Sequence, residues 1–189
     1  MPRPTTLPRD VDELRLLVAC GARLKYLLFW GHRPEPGGRV GAGCLSQWWP
    51  APFTVDGVRY PTAEHYMMAG KARMFGDGEI LARVLAAPSP GAAKALGRQV
   101  RGFDQHAWDA GRLALVTAGS VAKFGQHPAL RDYLTGTGSR VLVEASPLDR
   151  VWGTGLAATD PRATDPARWR GLNLLGFALM AARARLAPG

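Results

Sequence analysis

The succession of helical segments after residue 61 constrains the fold more than any other feature of this chain. Apolar residues recur there at intervals of three and four, and Gly, Pro, Ser or Asp separate the segments. Strand-like stretches are few and short. We therefore predict an α+β fold, a mainly helical single domain with a small antiparallel β-sheet. The predicted helices cover residues 62–75, 78–87, 89–99, 104–125, 127–134 and 173–186.

The predicted strands lie in three short stretches. Residues 26–30 (YLLFW) form a compact apolar run, and residues 140–146 (RVLVEAS) alternate as a strand does. Residues 53–55 and 58–60 predict a β-hairpin, because the Asp-Gly pair between them supplies the positive φ angles that a two-residue turn requires.

The length of 189 residues indicates one domain with room for a core and a cleft. Residues 1–9 contain several prolines and predict a flexible tail, so the single domain is expected to span residues 10–189. Its first helix begins at Asp10 and ends near Gly21.

Composition excludes some classes of protein. Apolar residues make up 47% and charged residues 21%, as in ordinary globular domains, and no apolar run reaches the roughly 18 residues of a membrane span. The net charge of +9 comes mostly from scattered arginines. It is explained either by background composition or by an anionic ligand or nucleic acid.

Cysteine usage predicts a cytoplasmic protein. Cys20 and Cys44 are too few for a zinc knuckle and are expected to be reduced thiols. The LVAC segment at 17–20 is preceded by acidic residues where an export signal needs a basic leader.

No metal or cofactor is predicted. The four histidines lie on separate segments, and His65 adjoins Glu64 instead of following it at the spacing of an HExxH helix. The Gly-rich loop at 31–43 lacks the Gly-Lys-Ser/Thr ending of a nucleoside triphosphate cradle.

Glu64 is the first candidate functional residue. With Thr62 as N-cap, Glu64 occupies the second helical position, where complementing the helix dipole would explain it. However, Met67 and Met68 follow at three and four positions and Lys71 at seven, on the same face. Apolar neighbours raise the pKa of a carboxyl, whereas the dipole and a nearby cation lower it.

Two adjacent indoles, Trp48 and Trp49, follow Ser46 and the Gly-rich loop. At least one is expected in the core. The other could form a flat wall for a planar ring.

Three further residues have both structural and functional interpretations. Trp108 pairs with Phe103 as a hydrophobic staple if Asp104 caps the long helix. Asp149 either initiates a turn or is a reactive group in a loop after a strand. Asn173 is a candidate N-cap of the last helix.

Several separated motifs resemble one known family. They are LSQWWPAPFTVDGVRYPTAEHYMMAGKARMF, KFGQHPALRDYL, D-x-x-WG and LNLLGFALM, and they span roughly residues 26–186 in the family's order. The chain resembles the NADAR superfamily, the YbiA-like N-glycosidases. The resemblance implies a compact, mainly helical α+β fold that hydrolyses the C1′–N bond of a ribosylated, phosphate-bearing base. Some family members are associated with cleavage of early riboflavin-pathway intermediates. Others are associated with removing ADP-ribose from guanine in nucleic acid.

The resemblance also implies roles for individual residues. The catalytic positions fall on Glu64, Trp108 and Asp149. Glu64 is expected to stabilise the ribosyl cation and to activate water, and Asp149 to share that work or hold the ribose hydroxyls. Trp108 is expected to stack on the base or ribose. The predicted substrate-binding residues are Ser46, Trp48, Trp49, His65, Lys71, Trp152, Gly153 and Asn173.

The expected partner is a small ribosyl phosphate, and three alternatives stay open. An ADP-ribosylglycohydrolase would act on guanine in DNA or RNA, and a basic strip beside Glu64 would favour it. A non-catalytic module would bind ADP-ribose or NAD without cleavage. A plain nucleic-acid-binding protein would show strongly salt-dependent binding.

Overall fold

The computed structural model describes residues 8–187 and shows the elements in the predicted order. The α-helices are α1 (Val11–Ala19), α2 (Ala63–Met74), α3 (Gly78–Leu85), α4 (Pro90–Gly97), α5 (Gln105–Gln126), α6 (Pro128–Gly136) and α7 (Leu174–Leu186). The strands are β1 (Tyr26–Phe29), β2 (Phe53–Val55), β3 (Val58–Tyr60) and β4 (Val141–Glu144). The predicted helices and strands are confirmed to within about two residues at their ends. The predicted tail at 1–9 lies outside the described residues, apart from its last two positions.

The strands form two separate pairs. β2 and β3 are antiparallel, and their turn has positive φ at both Asp56 and Gly57, as predicted. β1 and β4 pair in parallel with Phe29 opposite Glu144, so the small antiparallel sheet is joined by a second, parallel pair that the sequence did not predict. Parallel pairing places the carboxyl ends of β1 and β4 side by side.

Side-chain caps explain where the helices begin. Oxygens of Asp10, Thr62, Asp77, Ser89 and Asp104 accept backbone N–H bonds at the starts of α1 to α5. These bonds satisfy amides that have no partner within the helix.

Asn173 precedes α7 but does not cap it, which corrects the prediction. Its backbone is left-handed, with φ of 51°, and its side chain makes no capping bond. The side-chain amide instead accepts from the Glu144 backbone N at 2.9 Å and donates to the Leu142 carbonyl at 2.9 Å. Asn173 therefore ties the start of α7 to β4.

Close helix packing positions α2. A Cβ atom added at Gly70 would lie 2.6 Å from Leu115 Cδ1, so the glycine allows α2 to approach α5 closely. On the α3 and α4 side, Ala69 and Ala72 are fully buried. Because α2 is enclosed on both sides, its first turn is held inside the domain.

The two cysteines are unpaired; Cys20 is exposed and Cys44 is buried. Across residues 8–187, the helices lack either the length or the apolar character needed to cross a bilayer.

Candidate active site

Glu64 lies in the first turn of α2 and is only 3% exposed. Its Oε2 accepts a hydrogen bond from Trp48 Nε1 at 3.3 Å. Its Oε1 is buried and finds no hydrogen-bond partner within residues 8–187. A buried carboxylate oxygen without a partner is costly to retain, which marks Glu64 as a functional candidate.

Burial raises the pKa of Glu64 to about 7. Lys94, the Trp48 hydrogen bond and Arg98 lower this pKa, while the negative charge of Asp149 raises it. The carboxyl therefore changes protonation near neutral pH, in the range that suits an acid or base catalyst.

Glu144, the last residue of β4, is a second acid at the site, and sequence reasoning missed it. Its Oε2 is buried and lacks a partner in the part of the chain that the structure describes. Burial, then the charges of Asp149 and Glu64, raise its pKa to about 8, although Lys94 opposes the shift. The available signal was an acidic residue that closes a buried apolar strand just before the Asp149 loop.

Asp149 forms the turn that sequence reasoning considered for it. Its Oδ1 accepts from the backbone N of Val151 at 2.9 Å and of Trp152 at 2.7 Å. The residue also lines a cavity, so one oxygen is used by the turn while the side chain remains at the cavity wall. The turn therefore holds the carboxylate in a fixed orientation.

Gly153 brings the two acid-bearing segments together. A Cβ atom there would lie 2.8 Å from the Glu144 carbonyl oxygen and 3.0 Å from the Asp149 carbonyl oxygen. Only glycine permits this approach without displacing backbone, so Gly153 has a structural role besides the predicted contact with substrate.

A cavity of about 750 Å³, here called the cationic cavity, has Asp149 in its wall. Trp108, Trp152 and Asp149 form part of its wall. Its basic lining residues are Lys71, Lys94, Arg98, Arg112 and Arg150. Such a set of cations suits a phosphate-bearing ligand.

Lys71 is anchored within the cationic cavity. Its Nζ donates to the Gly97 carbonyl at 2.8 Å and lies 4.1 Å from the centre of the Phe103 ring and 5.7 Å from that of Trp108. Partial burial lowers the pKa of Lys71. The side chain therefore offers a cation to the cavity from a fixed position.

A second cavity of about 850 Å³, here called the aromatic cavity, lies at the end of β1. Trp30, His32 and Trp48 line it together with Phe29 and Ser46. The His32 and Trp48 rings lie 5.7 Å apart between centroids and are tilted by 50°.

Residues 28–187 match the NADAR domain family. The chain belongs to the NADAR family. An N-glycosidase of Acanthamoeba polyphaga mimivirus is 38% identical over 84% of this chain and 95% of its own length. An N-glycosidase of Nostoc punctiforme is 33% identical over 76% of this chain and 85% of its own. The NMR structure of the Escherichia coli protein YbiA superimposes with a TM-score of 0.69 at 25% identity, covering 95% of this chain and 93% of YbiA.

Two of the three residues predicted to be catalytic share one cavity, and the third is linked to them through its charge. Trp108 and Asp149 line the same cavity, and the charge of Asp149 acts on buried Glu64. Asp104 caps α5, which places buried Trp108 at the position expected for a hydrophobic staple. Trp108 occupies this position and also lines the cavity. Within residues 8–187, no group of His, Cys, Asp and Glu side chains could hold a metal ion.

The structure corrects three predicted substrate contacts in the NADAR motifs. Trp49 belongs to the hydrophobic core and borders a separate cavity of about 290 Å³ beside the start of α6, whereas Trp48 lines the aromatic cavity, as expected for one indole of the pair. His65 is 1% exposed, and its ring nitrogens lie 2.8 Å from Thr62 Oγ1 and 3.1 Å from the Ala87 carbonyl oxygen. Asn173 is fully buried, and both ends of its amide bond to β4. These polar groups are already used by the protein.

Proposed function

We propose that this protein hydrolyses the C1′–N bond between a base and a phosphate-bearing ribose. The observation that carries the proposal is the pair of buried acids, Glu64 and Glu144, each with an unpartnered oxygen and each coupled to Asp149. The enzyme class, a hydrolase of N-glycosidic bonds, agrees with the curated NADAR relatives that are named N-glycosidases.

Cleavage of a ribosyl bond builds positive charge on the sugar as the base departs. Ionised Glu64, shielded from solvent, stabilises that charge and takes a proton from the attacking water. The water oxygen bonds to C1′, and the electron pair of the C1′–N bond leaves with the base nitrogen. Asp149 either helps Glu64 to activate the water or binds the ribose hydroxyls.

The departing nitrogen needs a proton, and Glu144 is suited to supply it. Because its pKa is raised to about 8, Glu144 remains protonated at neutral pH. Two acids with different environments thus divide the roles of base and acid, as in other glycosidases. The proton that Glu64 takes from water balances the one that Glu144 gives.

The first substrate candidate is a ribosylaminopyrimidine phosphate, of the kind found early in the riboflavin pathway. ADP-ribosylated guanine in nucleic acid is the second candidate, and the cationic cavity favours it specifically. Arg112 is paired with Asp109, but the other four basic residues still exceed what a single phosphate requires and suit a diphosphate.

A module that only binds ADP-ribose is a weaker explanation. Keeping Glu64 and Glu144 buried without partners destabilises the fold, and binding alone gains nothing from it. Catalytic groups, in contrast, need such environments.

The decisive experiment incubates the protein separately with a ribosylaminopyrimidine phosphate and with an ADP-ribosylated guanine oligonucleotide, followed by mass spectrometry of the products. We expect free base from at least one substrate and none with Glu64→Gln. The matched control is Glu79→Gln, an exposed glutamate on α3 that should retain full activity. Parental activity in Glu64→Gln, or no base from either substrate, would contradict the proposal.

A further inference from the structure

The two cavities differ in chemistry. Lysines and arginines dominate one cavity, whereas the other is lined by aromatic rings with one arginine and one glutamate, Arg33 and Glu35. A substrate with a phosphate at one end and a flat ring at the other would match both.

Strand register shows where Glu144 lies relative to the two cavities. Phe29 at the end of β1 lines the aromatic cavity and pairs with Glu144 at the end of β4. Ser146, two residues beyond Glu144, lines the cationic cavity. Because the two strands are parallel neighbours, Glu144 lies beside one lining residue of the aromatic cavity and two residues before one of the cationic cavity.

Trp48 provides a second link between the same places. Its Nε1 donates to Glu64 Oε2 at 3.3 Å, while the same indole lines the aromatic cavity against His32. Glu64 is also coupled to Lys94 and Arg98, which line the cationic cavity. Each buried acid is therefore linked to lining residues of both cavities.

An exposed aromatic residue at this site has no explanation in packing. Trp30 is 67% exposed at the rim of the aromatic cavity, directly after a buried Phe29. Large exposed indoles beside a pocket commonly contact ligands, and every nucleobase has a face on which an indole stacks.

We propose that the aromatic cavity binds the leaving base, a planar nitrogen heterocycle, between Trp30, His32 and Trp48. This inference rests on the proposed function and deepens it by orienting the substrate. The phosphate end lies over α4 and α5, the ribose lies at Glu64 and Glu144, and the base lies at the end of β1. The 31–43 loop, which supplies His32, Arg33 and Glu35, then selects the base.

Product binding tests the orientation without turnover. Equilibrium dialysis would measure the affinities of guanine, 2,4-diamino-6-hydroxypyrimidine and ribose 5-phosphate for the full-length protein. We expect at least one base to bind together with ribose 5-phosphate instead of competing with it. Trp30→Ala should weaken that base about tenfold and leave ribose 5-phosphate unchanged.

Arg98→Ala is the matched variant for the other cavity, since Arg98 is also exposed. It should weaken ribose 5-phosphate and leave the base unchanged. Circular dichroism would verify folding, and His32→Ala is a second test of the aromatic wall. Competition between the two product types, a base affinity insensitive to both aromatic variants, or no binding of either base overturns the inference.

The failure of this inference is distinguishable from failure of the proposed function. Hydrolysis with a base affinity that is insensitive to both Trp30→Ala and His32→Ala would overturn only the orientation. Base binding that depends on Trp30 in a protein that releases no base would overturn only the hydrolysis.

Discussion

At the residue scale, the chemistry depends on carboxyls that the fold keeps away from water. Glu64 and Glu144 each have one buried, unpartnered oxygen, and burial is the largest cause of the raised pKa of both. The negative charge of Asp149 adds to both shifts. Burial of these carboxyls therefore lowers the stability of the folded protein, and their proposed catalytic roles explain why they are buried.

That cost should be measurable for Glu64. Its folded pKa of about 7 exceeds its ordinary 4.5, so between these values the folded state holds a proton that the unfolded state has lost. Stability therefore falls as pH rises through this window, by up to about 3 kcal/mol. We predict that Glu64→Gln is more stable than the parent at pH 8 and equally stable at pH 4, in urea unfolding.

Exposed Glu79 offers the control for this measurement. Glu79→Gln removes only surface ion pairs, so its free energy of unfolding should change by less than about 1 kcal/mol at every pH. A Glu64→Gln protein that is less stable than the parent at pH 8 would show that Glu64 carries a favourable buried interaction.

The same pKa values predict the pH dependence of catalysis. Activity needs Glu64 ionised and Glu144 protonated, so kcat/KM should rise as pH approaches about 7 and fall above about 8. Glu144→Gln should lose about 10²-fold or more in kcat and lose the alkaline limb. An unchanged alkaline limb in this variant would assign the acid to another group.

At the element scale, one buried lysine links α5 to the segment that carries Trp48. Lys123 is 1% exposed, and its Nζ donates to the carbonyls of Cys44 at 2.7 Å and Ser46 at 2.9 Å. Burial lowers its pKa to about 7. Lys123 is therefore a positioning residue for the wall between Glu64 and the aromatic cavity.

We predict that Lys123→Met weakens catalysis through Trp48. Loss of the two bonds frees the 44–48 segment, and the Trp48 hydrogen bond, which lowers the pKa of Glu64, is disturbed. The acidic limb of the kcat/KM profile should move to higher pH, and kcat should fall about tenfold. Exposed Lys25→Met is the control. A lower kcat with an unmoved acidic limb would leave Lys123 a purely structural role.

A pair of glycines tests the close approach of the acid-bearing segments. Gly153→Ala would force a methyl group against the backbone of Glu144 and Asp149, so it should cost about 1–3 kcal/mol and lower kcat. Gly136→Ala, at the end of α6, meets nothing within 4 Å and should change neither quantity appreciably. Thermal unfolding and steady-state kinetics would compare them, and equal behaviour of the two variants would contradict the packing argument.

At the scale of the whole molecule, folding concentrates part of the net charge of +9 at one cavity. Scattered arginines in the sequence become a basic wall, because residues of α4, α5 and the 146–152 loop line one cavity. Folding thus concentrates charge that the linear sequence spreads out.

This concentration predicts salt-sensitive binding. KM for a phosphate-bearing substrate should increase severalfold between about 0.05 and 0.5 M salt while kcat changes little, since salt screens attraction in an open cavity. A dephosphorylated substrate should show no such increase. Steady-state kinetics on both would measure it, and equal salt responses would argue against phosphate binding there.

Local interactions were predictable from the residues themselves. Thr62 and Asp104 cap their helices because each side chain bonds an amide only a few residues away. Asp56 and Gly57 form the hairpin turn for the same local reason. The family resemblance added Trp108 and Asp149, whose roles no helical spacing could have suggested.

By itself, the sequence determined the helices, the caps of α2 and α5, the hairpin and the place of Glu64 in a first turn, because such features depend on neighbours along the chain. Tertiary structure alone decided that β1 pairs with β4, that Trp48 and not Trp49 lines the aromatic cavity, and that Glu144 joins the site. These outcomes depend on contacts between residues far apart in the chain, where burial sets the pKa and the local pattern carries no record of the partner.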